Sequence, residues 1–183
     1  MALDNAMVYY VRHGESQANL NETFAGSRDD CILTDKGRLQ AKAAGEDIKR
    51  KGLHFARILT SPLRRTQESA TIIARDIGFN EANIETDARL IEYDMGSLTG
   101  QPMPKAGERL VIPPDAEDVH DFQQRVMQAV RAVDELPGDT LIVGHAGVGK
   151  VIEATRLHHP PDIFHDLDGY PHGQVIALAF LEQ

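Results

Sequence analysis

The sequence predicts an α/β fold: a three-layer α/β/α sandwich on a mainly parallel, open sheet, in one domain spanning 1–183. Three observations lead there. Short apolar runs that suit buried strands alternate with longer segments whose apolar residues recur every three or four positions. The 183 residues, 42% hydrophobic and 26% charged, suit a domain that buries its own core. No repeat, low-complexity tract or linker interrupts the chain.

The elements follow in order. MVYYV (7–11) reads as a buried strand. Thr34 offers a helix N-cap, Ala41, Ala44, Gly45 and Ile48 keep helical spacing, and Gly52 suits the stop. ARILT (56–60) is a second strand, and Pro62 is expected in the first turn of the helix that follows. That helix carries Leu63, Ala70, Ile73, Ala74 and Ile77 on one face and ends at Gly78. Residues 84–92 read as a short strand and then a loop. Residues 101–115, with four prolines and Gly107, read as an irregular connection. Residues 118–136 form the clearest helix, with Val119, Phe122, Val126, Ala129, Val130 and Val133 in register and Pro137-Gly138 behind them. TLIVG (140–144) is a third buried strand, 148–157 a helix, 158–173 a loop and VIALAFL (175–181) a last strand.

Bulk properties narrow the function. The net charge of −9 repels a phosphate backbone, so nucleic-acid binding is not expected, although a small basic pocket fits within an acidic shell. One cysteine, Cys31, excludes an intrachain disulfide. The opening MALDNAM has no charged n-region or apolar h-region, and no apolar run approaches the roughly 20 residues of a membrane span. These features predict a soluble, cytoplasmic protein with no membrane partner. They leave its oligomeric state open.

Three strands end in the same way. MVYYV runs into Arg12-His13-Gly14, ARILT into Ser61-Pro62-Leu63-Arg64-Arg65, and TLIVG into His145-Ala146-Gly147. One such tip reads equally well as solvated charge at a strand end. Three on one edge of a parallel sheet bring two histidines and at least two arginines to where ligands bind in such folds. Helix N-termini and planar guanidinium forks favour oxyanions, phosphate above all. A metal centre is not expected, because no compact ligand spacing accompanies the histidines.

These motifs resemble the histidine phosphatase superfamily, the phosphoglycerate mutase-like fold. Arg12-His13-Gly14-Glu15-Ser16 with Asn19 is similar to its RHG signature. Gly26-x-x-Asp29 and Leu33-Thr34-x-x-Gly37-x-x-Gln40-Ala41 resemble its second segment. Ser61-Pro62-Leu63-x-Arg65 resembles its arginine motif, with Thr66, Glu68 and Ser69 in place of the usual Ala, Gln and Thr. Leu90-x-Glu92-x-x-x-Gly96-x-x-x-Gly100 and Val143-Gly144-His145-Ala146-Gly147 resemble its acid and second-histidine motifs.

The resemblance implies a phosphohistidine intermediate on His13, with Arg12, Arg65 and His145 gripping the phosphoryl oxygens. It implies Glu92 as the acid for the leaving oxygen, and no cofactor or metal. Asp94 is the nearest competitor to Glu92. Arg64 competes with Arg65, but the family's spacing from Ser61 favours Arg65, and the two point about 100° apart on a helix. Asn19, Ser16, Gly26 and Ala146 are expected to contact a small phosphorylated substrate. Nearby arginines should keep His13 unprotonated, and a backbone carbonyl should set its tautomer. Arg28 and Arg156 are further anion contacts or simply exposed. The histidines of 158–172 are expected to be exposed loop residues, and His54 is ordinary.

A phosphomonoester hydrolase is favoured over a cofactor-dependent mutase. Mutases of the family carry a tyrosine where this chain has Met95 and a lysine at about Met103. Their long insertion with paired arginines is replaced here by a short 100–118 stretch holding only Lys105 and Arg109. Phosphoprotein phosphatase activity is a further alternative, although short phosphohistidine phosphatases lack the Asn19-type contact. Binding without turnover needs neither a nucleophile nor an acid.

Overall fold

Five short runs pair into one sheet in the computed structural model, which describes residues 6–105 and 107–178; the central β-strand, 140–144, is buried on both faces, while the strand 84–86 at one edge is largely open. The five strands are β1 (Val8–Arg12), β2 (Arg57–Thr60), β3 (Ile84–Thr86), β4 (Thr140–Gly144) and β5 (Val175–Leu178). The order is β3-β2-β4-β1-β5. The first four are parallel, and β5 runs antiparallel against β1. The expected strand 175–181 is therefore seen as far as Leu178, and 179–181 lie outside the described residues.

Register aligns the strand tips. Arg12 pairs with Gly144, and Thr60 with Val143. Residues 12–14, 61–65 and 145–147 consequently leave the sheet at one edge.

Side-chain alternation fills two cores. Val11, Ile58, Leu141 and Val143 face helices α2 (Asp35–Arg50) and α3 (Arg64–Ile77). Tyr10, Leu59 and Ile142 face α4 (Val119–Asp134) and α5 (Ala146–Arg156). A one-turn helix, α1 (Gln17–Leu20), follows β1. The three-layer α/β/α architecture is thus the one the sequence predicts.

Local chemistry explains most boundaries. Thr34 caps α2 by accepting from the Gly37 N–H, and Asp118 caps α4 through the N–H groups of His120 and Asp121. Gly78 closes α3 in the left-handed conformation.

Three expectations are corrected. Pro62 lies outside α3, which starts at Arg64 with Leu63 as its cap. Helix α5 begins at Ala146 rather than Val148, so His145 is its N-cap and the free N–H groups of its first turn stand at the sheet edge. The loop 158–173 contains a 3-10 helix, Pro161–His165, whose Phe164 is buried in the α4/α5 core.

Candidate active site

His13 directly follows β1 and is 4% exposed. Its N–H donates to the Gly144 carbonyl (2.9 Å), which locks the RHG loop to the end of β4. Its ring Nδ1 lies 2.6 Å from the Gly14 carbonyl. A carbonyl only accepts, so Nδ1 carries the proton and Nε2 keeps the lone pair. Gly14 has no room for a side chain, since a Cβ would meet the Gly37 carbonyl at 2.0 Å. The hydroxyl of Ser69 accepts from the Gly14 N–H (3.1 Å) and donates to the Arg65 carbonyl (2.8 Å), tying the RHG loop to α3.

His145 is fully buried, and its ring centroid stands 5.3 Å from that of His13. Its Nε2 is 2.8 Å from the Ser61 hydroxyl. Its Nδ1 and the Nε of Arg12 are buried without a hydrogen-bond partner among the described residues. Such atoms are rare in folded proteins, and these two lie beside His13.

The two arginine candidates separate. Arg65 is 2% exposed and forks onto the carbonyls of Gly26 (2.9 Å) and Asp29 (2.8 Å). Arg64 is exposed, with its N–H on the Asp30 carboxylate. Arg12 donates to the Tyr170 carbonyl (3.1 Å).

These cations act on the histidines. Burial first, then Arg65 and Arg12, hold the His13 pKa well below the usual imidazole range. His145 is held down by burial, Arg65, His13 and Arg12. The unfolded chain protonates both imidazoles near pH 6.5, while the folded chain resists. Above that value the two states bind equal protons and these groups leave stability unchanged. Below it the unfolded state binds more, so stability falls by up to about 1.4 kcal/mol per pH unit for each histidine. The melting temperature is expected to drop between about pH 6.5 and 5 more steeply in the wild type than in His145→Gln. Parallel curves would contradict this.

Glu92 stands across the cavity on a loop after β3. Its carboxylate accepts from the N–H of Tyr93 (2.8 Å) and from that of Gly147 (3.0 Å) in the first turn of α5. A Cβ on Gly147 would sit 2.3 Å from Glu92 Oε1, so the glycine makes room for the carboxylate. Asp94, the competitor, pairs with Arg28 (2.7 Å) and does not line the cavity.

The cavity holds about 240 Å³ and is lined by Arg12, His13, Ser16, Asn19, Gly26, Arg65, Glu92 and Ala146. His145 is behind this wall, against His13. Ser16 and Asn19 form a capping box: the Asn19 side-chain oxygen accepts from the Ser16 N–H (3.0 Å) and hydroxyl (2.8 Å). The Asn19 NH₂ is left for the cavity. Gly26, at φ +55°, passes close under Tyr93 and Met95.

Sequence reasoning missed the outer wall. Phe24, Tyr93, Leu110, Lys150, Phe164 and His165 line it beside Met95 and Met103. For Lys150 a signal existed: it lies four residues after Ala146 and three after Gly147, on the same helix face. The exposed-loop expectation holds for His158 and His159 but not for His165 or His172. His172 is partly buried with its Nδ1 2.7 Å from the His13 carbonyl, because the loop returns across the tip of β1. Arg28 and Arg156 are each engaged with carboxylates of the chain itself. Among the described residues no cluster of three or more histidine, cysteine, aspartate or glutamate side chains is arranged to hold a metal, and no helix is long and apolar enough to cross a membrane.

Residues 8–183 match the family model of the histidine phosphatase superfamily, branch 1. The chain belongs to this superfamily. Among its relatives, a 2,3-bisphosphoglycerate-dependent phosphoglycerate mutase of Methylobacterium radiotolerans is 34% identical over 66% of this chain and 63% of its own length. The match thus spans less than two thirds of that mutase. A Salmonella arizonae protein named "Probable phosphoglycerate mutase GpmB" is 35% identical over 84% of this chain and 75% of its own. Among solved structures, Bacillus stearothermophilus YhfR superposes with a TM-score of 0.80 at 28% identity, covering 94% of this chain and 90% of that chain. A mycobacterial glucosyl-3-phosphoglycerate phosphatase, solved with VO3, shares the fold at a TM-score of 0.78 and 23% identity over 95% and 92% of the two chains.

Proposed function

We propose that this histidine phosphatase hydrolyses small phosphomonoesters through a phosphohistidine on His13. The observation that carries the reading is the state of His13: buried, kept neutral, with Nδ1 committed to a carbonyl and two arginines beside it. In the first step Nε2 attacks phosphorus and the ester P–O bond breaks. A proton carried by Glu92 passes to the leaving oxygen. In the second, Glu92 takes a proton from water, which attacks the phosphohistidine and releases inorganic phosphate and the free imidazole. Arg12 and Arg65 hold the equatorial oxygens, and His145, fully buried against His13, backs the nucleophile from behind the cavity wall. Asn19, Ser16, Gly26 and Ala146 contact the substrate around them. No metal or organic cofactor enters these steps.

Mutase activity is the second reading, favoured by the relatives that carry that name. Against it, the cavity presents Met95 and Met103 where a mutase of the family has tyrosine and lysine, and neither Lys105 nor Arg109 lines the inner cavity. A mutase must also bind the carboxylate of a phosphorylated acid and exclude water, and beyond Arg12 and Arg65 the described residues of the cavity lining offer Lys150 in place of paired arginines. A panel of phosphate monoesters, with 3-phosphoglycerate and its bisphosphate assayed in parallel, tests the choice. Phosphate release without added bisphosphate is expected, at least about tenfold faster than isomerisation. Faster bisphosphate-dependent isomerisation would replace the hydrolase reading with the mutase one.

A further inference from the structure

We propose that His172 is a positioning residue for the nucleophile: its Nδ1–H, held on the His13 carbonyl, fixes the backbone that sets the tautomer and direction of the His13 ring. The effect on turnover rests on the hydrolase reading, whereas the effect on the His13 ring does not. Residues 170–173 lie across the tip of β1 and meet it at three points. The Tyr170 carbonyl accepts from the Arg12 guanidinium (3.1 Å), the Gly173 N–H donates to the Arg12 carbonyl (3.0 Å), and His172 Nδ1 lies 2.7 Å from the His13 carbonyl. A carbonyl only accepts, so this Nδ1 carries a proton. The segment is wedged in place against α2. A Cβ on Gly173 would meet the Gln40 carbonyl at 2.6 Å, and its φ of +71° is one that glycine adopts freely.

The nucleophile needs such bracing because a glycine follows it. Gly14 is required by the close approach of Gly37, yet glycine leaves the chain free over a wide range of φ and ψ. The fold removes that freedom by holding both peptide units that flank Gly14 at each end. In the 13–14 unit His172 holds the carbonyl and the Ser69 hydroxyl holds the N–H (3.1 Å). In the 14–15 unit the carbonyl accepts from His13 Nδ1 (2.6 Å) and the N–H donates to the Gln40 side-chain oxygen (2.7 Å). The Gly14 carbonyl that keeps the proton on His13 Nδ1 is thus aimed by groups from three other parts of the chain. His172 stands with its ring centroid 5.5 Å from that of His13. Burial, and Arg12 beside it, hold its pKa below the usual imidazole value, so it supplies a donor without adding a charge next to the nucleophile.

Histidine labelled with nitrogen-15 reads this out at neutral pH, because the two ring nitrogens resonate far apart in a single tautomer and converge when both tautomers are populated. In the wild type His13 and His172 are each expected to be protonated at Nδ1, their signals assigned by loss in His13→Ala and His172→Asn. His172→Phe keeps a ring against His13 and removes the donor. Its His13 nitrogens are expected to converge, and its kcat for benzyl phosphate to fall about tenfold or more with KM changed less than about threefold. His172→Asn puts an amide N–H where Nδ1–H stood and is expected to restore the His13 signals and at least about a third of the wild-type kcat. A proton on Nε2 instead of Nδ1 in wild-type His172 would overturn the proposal with no substitution made. His13 signals unchanged in His172→Phe would also overturn it, as would equal losses in the Phe and Asn variants, the result that packing alone gives. Hydrolysis of benzyl phosphate by the wild type is read separately. Its absence, with the nitrogen signals as expected in all three proteins, would remove the hydrolase reading and leave the positioning of His13 standing.

Discussion

His13→Ala is expected to lower turnover of any phosphomonoester substrate by about 10⁴-fold or more, the scale seen when a covalent nucleophile is removed. Alanine takes away the only group assigned to attack phosphorus, and no neighbour is placed to replace it. The fully buried His145 has its Nε2 engaged with Ser61 and lies behind the cavity wall. Quenching the wild type with phosphorus-labelled substrate is expected to leave an acid-labile, base-stable label on a peptide containing His13. Label on His145 would reverse the assignment, and undiminished turnover in His13→Ala would remove the covalent mechanism. The main-chain N–H of residue 13 still reaches the Gly144 carbonyl in the variant, so circular dichroism and melting should show a folded protein.

Arg65→Met is the second large effect, and it acts on stability as well as rate. The guanidinium is buried and cross-links the first turn of α3 to the loop carrying Gly26 and Asp29. Methionine removes two charge-assisted hydrogen bonds and leaves both carbonyls without them, a cost of about 2–4 kcal/mol in denaturant unfolding. It also removes one of two fixed cations at the phosphoryl group, for a fall of about 10²–10³-fold in kcat/KM. Lysine keeps the charge but cannot span both carbonyls, so Arg65→Lys should regain part of the rate and little of the stability. A destabilised Met variant with wild-type kcat/KM would confine Arg65 to a structural role. Arg64→Met is the control, since its side chain is exposed and only its backbone is engaged.

Much of the fold and of the site is legible in the sequence. β4 matches TLIVG without adjustment, because all five residues are buried and nothing competes with their pattern. The fork between Arg64 and Arg65 was open from helical geometry alone. It closes because the loop 26–29 offers its carbonyls to the buried Arg65 side chain, while that of Arg64 is exposed. The substitution of Ser69 for a family threonine keeps the hydroxyl that binds the Gly14 N–H, so the departure costs no hydrogen bond. The start of α5 was misjudged by two residues, because Ala146 and Gly147 give no apolar signal although the fold uses their N–H groups.

The local pattern of the chain was enough to determine the strands, the helices and the three tips where core gives way to Arg12-His13, Arg65 and His145. Apolar periodicity and charge at a strand end are written into neighbouring residues, so they can be read one segment at a time. Which residues meet around the cavity was decided only in three dimensions. Glu92 meets Gly147 across 55 residues, and Phe164 and His165 come from a loop that reads as exposed but folds back over the site. Lys150 acquires its place from the same convergence. Contacts of that range obey no sequence period, because they depend on how layers pack against the sheet rather than on how any one of them is formed.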